Sequence, residues 1–143
     1  MNKYYILFFS FLISSLSTVG QVSFCDDFDS YSSGSYLGFT SPDWTTWSGI
    51  TGPSSPDDVQ VSNSLSSSPS NSLFFNGTST AGGPQDIVLP FSGAPYTSGN
   101  FVFSADFYVI NGAYFNFQAD NNIGVTWALD VGMENGIMNF GTY

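Results

Sequence analysis

Between Phe101 and Val109 the chain alternates without a break: Phe101, Phe103, Ala105, Phe107 and Val109 share one parity, and Val102, Ser104, Asp106 and Tyr108 share the other. A two-residue period sends successive side chains to opposite faces of a pleated strand, so this segment predicts a strand with one face in a core. Asn111-Gly112 follows, a dipeptide that tolerates the left-handed backbone of a tight hairpin turn. A return strand is predicted over Ala113 to Ala119, with Phe115 and Phe117 facing inward. Asp120-Asn121-Asn122 turns the chain again, and Ile123, Val125, Trp127, Leu129 and Val131 alternate in a third strand, which assigns Trp127 to core packing. Asn135-Gly136 leads into a fourth over Ile137 to Phe140. Consecutive hairpins of this kind predict an antiparallel meander.

The first half is less regular. Val22 to Phe28, Asp58 to Ser62, Ser72 to Asn76 and Asp86 to Leu89 each read as a short strand, separated by long polar loops such as Ser62 to Ser72. No window sustains a helical period over three turns. Seven to nine strands without a helix predict an all-β fold, most economically an antiparallel β-sandwich or jelly roll.

The N-terminus has a different pattern. Lys3 precedes a mostly apolar stretch from Tyr4 to Leu16, and Thr18-Val19-Gly20 offers small residues for cleavage before Gln21. This is the layout of a secretory signal peptide, too short in its apolar part for the roughly 20 residues of a membrane-spanning helix. Residues 1–20 are therefore read as a signal and residues 21–143 as one β-sandwich module, secreted or displayed at the cell surface and not inserted in the membrane after cleavage.

Charge narrows the chemistry. The chain has one Lys or Arg against eleven Asp and Glu, no His, and a formal net charge of −10. With Lys3 as its single cation it cannot neutralise a phosphate backbone, which excludes nucleic-acid binding by counterion release. Imidazole-based general bases, triads and zinc sites are excluded with the missing His. Cys25 is the only cysteine, so no intramolecular disulfide forms; a buried thiol in the first strand or an intermolecular pairing are its two readings.

Three phrases suggest a family: Phe24-Cys25-Asp26-Asp27-Phe28-Asp29-Ser30-Tyr31, Ser41-Pro42-Asp43-Trp44-Thr45-Thr46-Trp47-Ser48-Gly49, and Gly83-Pro84-Gln85-Asp86-Ile87-Val88-Leu89-Pro90-Phe91. Together they resemble the N-terminal module of secreted surface proteins from Bacteroidetes-type bacteria, a concanavalin A-like or laminin-G-like jelly roll. In such proteins further domains and a C-terminal sorting domain for type IX secretion follow the module. The ending at Phe140-Gly141-Thr142-Tyr143, directly after a hairpin, reads as that of a fragment.

The resemblance implies non-catalytic glycan binding or adhesion to a polysaccharide or cell-surface glycan. Trp and Tyr rings stack on the apolar faces of sugars while Asp, Asn and Gln bond the hydroxyls. Trp44 and Trp47, in a polar segment, and Tyr96, in the loop Pro95-Tyr96-Thr97-Ser98-Gly99, are the candidate glycan-binding residues. Core or strand-edge packing is the competing reading of both tryptophans.

Asp26, Asp27 and Asp29 stand close together in sequence, with Asp57-Asp58 and Asp130 as possible neighbours in space. Calcium takes six to eight oxygen ligands, and modules of the resembled type often carry one, so Asp27 and Asp29 are candidate Ca2+ ligands. The competing reading has them accept backbone N–H bonds at turns. A glycosidase needs two carboxylates facing the scissile bond. Glu134, the only Glu, sits with Asp130 four residues before it, but Glu134-Asn135-Gly136 is turn chemistry and no concanavalin-type Glu-x-Asp-x-x-Glu motif is present. No catalytic residue is assigned; a glycoside hydrolase fragment and a purely structural surface module are the alternatives.

Overall fold

The computed structural model describes residues 23–76, 83–91, 100–120 and 122–142. Among them are seven strands and one helical turn: α1 Leu37–Thr40, β1 Thr45–Thr46, β2 Gln60–Ser62, β3 Ser72–Phe74, β4 Ile87–Val88, β5 Gly112–Gln118, β6 Trp127–Glu134 and β7 Ile137–Thr142. Every pairing is antiparallel, and the chain is all-β. The strands form three sheets, β1 with β4, β2 with β3, and the larger β5-β6-β7.

The N-terminal core gathers around Leu37, Val59 and Val61, which are fully or almost fully buried, with Phe28, Tyr31, Trp44, Leu73 and Ile87 packed against them. Burying each of these aliphatic side chains contributes at most about 1.5–3 kcal/mol. Leu37 belongs to a single helical turn, too short to persist by itself. It is held because Leu37 N–H donates to the Val59 carbonyl at 2.9 Å, while Val61 N–H reaches Ser35 O and Gly34 N–H reaches Val61 O. The chain before α1 therefore runs along the edge of β2. Asp58, only 2% exposed, ties the region together. Its Oδ1 accepts from Gly38 N–H and Val59 N–H and its Oδ2 from Gly52 N–H, each at 2.8 Å.

The C-terminal sheet is the predicted meander with one strand fewer. β5 pairs with β6 and β6 with β7, and the turn between the last two places Asn135 at φ 53° and Gly136 at φ 76°, the left-handed pair a tight hairpin requires. Phe115 lies opposite Val131 and Val131 opposite Phe140; Ala113, Met133 and Met138 are likewise in line. One face of the sheet is thus apolar, and Val131 and Met133 are its buried residues.

Phe101–Val109 corrects the sequence expectation: it joins no strand ladder. The alternation is real, but its rings meet the apolar face of β5. Phe103 lies 5.1 Å from Phe117 and 5.4 Å from Phe115, Phe107 stacks on Phe115 at 5.4 Å, and Phe101 meets Phe117 at 5.4 Å. Aromatic contact across the face took the place of hydrogen bonding along the edge. Gly112, expected in a turn, opens β5. The opening strand is also absent, since residues 23–28 are not in a ladder, and Cys25 is exposed instead of buried there.

Candidate functional site

The second face of the C-terminal sheet is polar. Strand alternation places Tyr114, Asn116 and Gln118 of β5 on it, and the register puts Gly132, Asp130 and Trp127 of β6 opposite them in that order. From β7 come Asn139 beside Gly132 and Gly141 beside Asp130. Tyr114 Oη donates to Asp130 Oδ1 at 2.6 Å, and Gln118 Nε2 donates to Asn116 Oδ1 at 3.3 Å. Gly132 lies at the centre: a methyl group built there would meet nothing within 4 Å, so the face has a gap between Tyr114 and Asn139 floored by backbone.

At one end of this face the ladder slips between Phe117 and Gln118, and the slip brings Trp127 opposite Gln118. A bulge of this kind re-aims a side chain by one position. It corrects the expectation that Trp127 belongs to the apolar core: Trp127 is half-buried and stacks instead on Trp47, with ring centroids 5.6 Å apart and planes at 16°. Gly124 closes under the pair. Its N–H donates to Gln118 Oε1 at 2.6 Å, and a Cβ there would lie 2.8 Å from Trp47 Cζ2.

Trp47 is carried to this position by two acids. Its N–H donates to the Asp86 carbonyl at 3.0 Å, and Asp86 N–H donates to the Asp57 carbonyl at 2.8 Å. The next residue, Ser48, donates its N–H to Asp57 Oδ2 at 2.7 Å, while Ser55 Oγ donates to Oδ1 at 3.1 Å. Burial works to raise the Asp57 pKa, yet the hydrogen bonds from Ser48 and Ser55 outweigh it and hold the carboxyl below its usual range. Asp86 moves the other way, raised first by burial and then by the neighbouring charge of Asp57.

Of the residues singled out in the sequence, Trp47 is in this assembly with 37% of its surface exposed. Trp44 is not. It packs on the N-terminal core, and its indole Nε1 donates to Asp26 Oδ2 at 2.9 Å, the oxygen that also accepts from Tyr31 Oη at 3.1 Å. Tyr96 lies outside the described residues. Asp27 Oδ1 accepts from Asp29 N–H at 3.1 Å, and Asp29 Oδ1 from Asn71 N–H at 2.8 Å, linking the segment before α1 to the loop before β3. Among the described residues no three Asp, Glu, His or Cys side chains stand together as a metal-holding group. Glu134 is exposed beside the hairpin turn. No described helix is long and apolar enough to cross a membrane.

Tyr114, Asn116, Gln118 and the repositioned Trp127 escaped the sequence reading. The first three fell on the parity opposite the phenylalanines, which alternation marks only as outward. Trp127 required knowledge of the bulge. No family model, curated protein or solved structure matches this chain.

Proposed function

We propose that the chain is a secreted, non-catalytic glycan-binding module, and that sugars lie on the polar face of β5-β6-β7 against the Trp47–Trp127 pair. The observation that carries the reading is the composition of that one surface. An indole with an exposed part stands at one end, a phenol 38% exposed at Tyr114 stands along it, and amides from Asn116, Gln118 and Asn139 lie between and beside them. Rings for the apolar faces of a pyranose, amides for its hydroxyls and a glycine-floored gap are the elements carbohydrate recognition needs. Secretion follows from the signal-like residues 1–20, and a concanavalin A-like jelly roll is the finer architecture this reading carries with it.

Trp44 is left out of the proposed surface, because its indole nitrogen is bonded to Asp26 and its ring packs against the core. The test is a glycan array probed with the full chain and with Trp47→Ala. The parent should bind at least one glycan, and loss of the exposed indole should weaken it about tenfold, close to the worth of one good aromatic contact, with the circular dichroism of the fold unchanged. An array blank for the parent, or a variant that binds as the parent does, rejects the proposal.

A further inference from the structure

We infer that residues 101–109 form the seam of a dimer, pairing antiparallel with the same segment of a second copy. The segment runs without turn or bend and lays alternate rings on β5, yet it joins no ladder. Among the described residues none of the backbone N–H and C=O groups from 102 to 110 takes part in a hydrogen bond. Every residue of the segment is exposed. An unbonded strand is a template for another strand, and proteins blunt such edges with Lys, Pro or a bulge. Residues 101–109 contain no Lys, Pro or Gly and a single charge, Asp106.

The occupant is a second copy because the segment fits itself. Opposite residues of an antiparallel pair share a face, so a slip by one residue would set the phenylalanines against the polar parity. A two-fold axis at Ala105 keeps the faces together and pairs every position: Phe101 with Val109, Phe103 with Phe107, and Ala105 with its own copy. On the outward side Val102 meets Tyr108 and Ser104 meets Asp106, twice each by symmetry. Aromatic and β-branched residues make good cross-strand pairs. The charge fits as well. Asp106 accepts from Ser67 through Oδ2, and in this register its other oxygen faces a serine hydroxyl. An axis at Asp106 itself would set two carboxylates face to face. Phe101, Phe103, Phe107 and Tyr108 are 47–78% exposed. At about 150–250 Å² for a whole aromatic side chain these four offer roughly 350–550 Å², and the exposed Val102 and Ile110 extend it toward the roughly 800 Å² per partner of a stable interface. Each copy carries a formal charge of −10, so two copies repel at long range. Salt screens that repulsion and leaves the apolar seam intact.

Sedimentation velocity on the full chain, up to about 1 mM, tests the seam. The chain should dimerise, and severalfold more tightly at about 0.5 M than at about 0.05 M salt. Ser104→Asp places like charges opposite Asp106 at both ends of the seam and should weaken the dimer at least about tenfold. Ser104→Lys should tighten it about fivefold, and adding Asp106→Asn should cancel that gain. Ser104 is exposed and has no hydrogen bond among the described residues, so both variants should melt as the parent does. A chain still monomeric at about 1 mM rejects a second copy as the occupant and leaves the edge to a strand of another protein or to water. A dimer indifferent to both Ser104 variants joins its copies elsewhere, and one that dissociates as salt rises is not held by an apolar seam; either overturns the inference. The glycan reading concerns the opposite face of the sheet and stands in each case.

Discussion

The indole of Trp47 lies nearly flat on that of Trp127, at 5.6 Å and 16°, and so joins the loop after β1 to the first residue of β6. Neither ring is placed by its own strand alone. Trp47 hangs from the Asp86 carbonyl, and Trp127 is turned toward it by the slip after Phe117. The contact couples the small N-terminal sheets to the C-terminal one. Whatever displaces it disturbs the proposed binding surface directly.

Gly124→Ala tests that coupling. Gly124 has φ +81°, where an L side chain is strained, and its new methyl group would press on Trp47 at 2.8–2.9 Å. The cost should be about 1–3 kcal/mol by urea denaturation. Near-UV circular dichroism should lose the signal of the stacked indoles. A variant as stable as the parent with an unchanged near-UV spectrum would show that Trp47 does not rest on this glycine.

Gly132→Val should do the opposite to stability. A Cβ there meets nothing within 4 Å and the backbone is not left-handed, so a β-branched residue replaces a flexible one in a central strand. Stability should stay within about 1 kcal/mol of the parent or rise. Glycan binding should nevertheless disappear, because the gap is filled. Retained binding in a folded variant would move the ligand away from Gly132.

How much of this was legible in the sequence depended on whether a feature is local. The Asn135-Gly136 hairpin needs only two adjacent residues with left-handed backbones, and it formed where expected. The parity of Phe101, Phe103 and Phe107 was also visible, but parity does not say whether a segment bonds along an edge or lies its rings on a face; Phe115 and Phe117 decided that from outside the segment. Trp127 shares parity with Leu129, and only the bulge separates their fates. Trp44 and Trp47, three residues apart in one polar stretch, were indistinguishable until Asp26 was seen to hold the first and Trp127 the second.

Asp58 illustrates a different kind of invisibility, since no motif marks a carboxylate that gathers backbone N–H groups from its neighbour Val59, from Gly52 and from Gly38, 20 residues away. Asp58→Ala would leave the N–H groups of Gly38, Gly52 and Val59 without their acceptor in a buried setting. Each such loss costs about 1–3 kcal/mol, so the variant should be destabilised by more than about 3 kcal/mol or fail to fold. Asp58→Asn should also suffer, because one amide nitrogen must face an N–H donor. Thermal melts of both variants near the parent value would mean that water replaces the carboxylate.

Asp57 and Asp86 give stability two opposing dependences on pH. The folded state holds Asp57 below its usual pKa, so its contribution is present above the ordinary carboxylate range, about pH 3.9, and is lost as pH falls through its lowered folded value. The folded state raises Asp86, so its contribution is fully present below about pH 3.9 and is lost as pH rises through its raised folded value. At neutral pH the ionised Asp86 therefore opposes folding, pressed by burial and by Asp57. Asp86→Asn removes that opposition without touching the backbone bond its carbonyl makes to Trp47. The variant should melt a few degrees higher than the parent at pH 7, and the gain should fade as the pH is lowered below about 4. Asp57→Asn should melt lower than the parent at pH 7, because Ser48 and Ser55 lose an ionised acceptor. Melting curves of both variants from pH 3 to pH 8 decide the matter: an Asp86→Asn gain that persists unchanged in acid would assign it to packing, with no part played by the charge of Asp57.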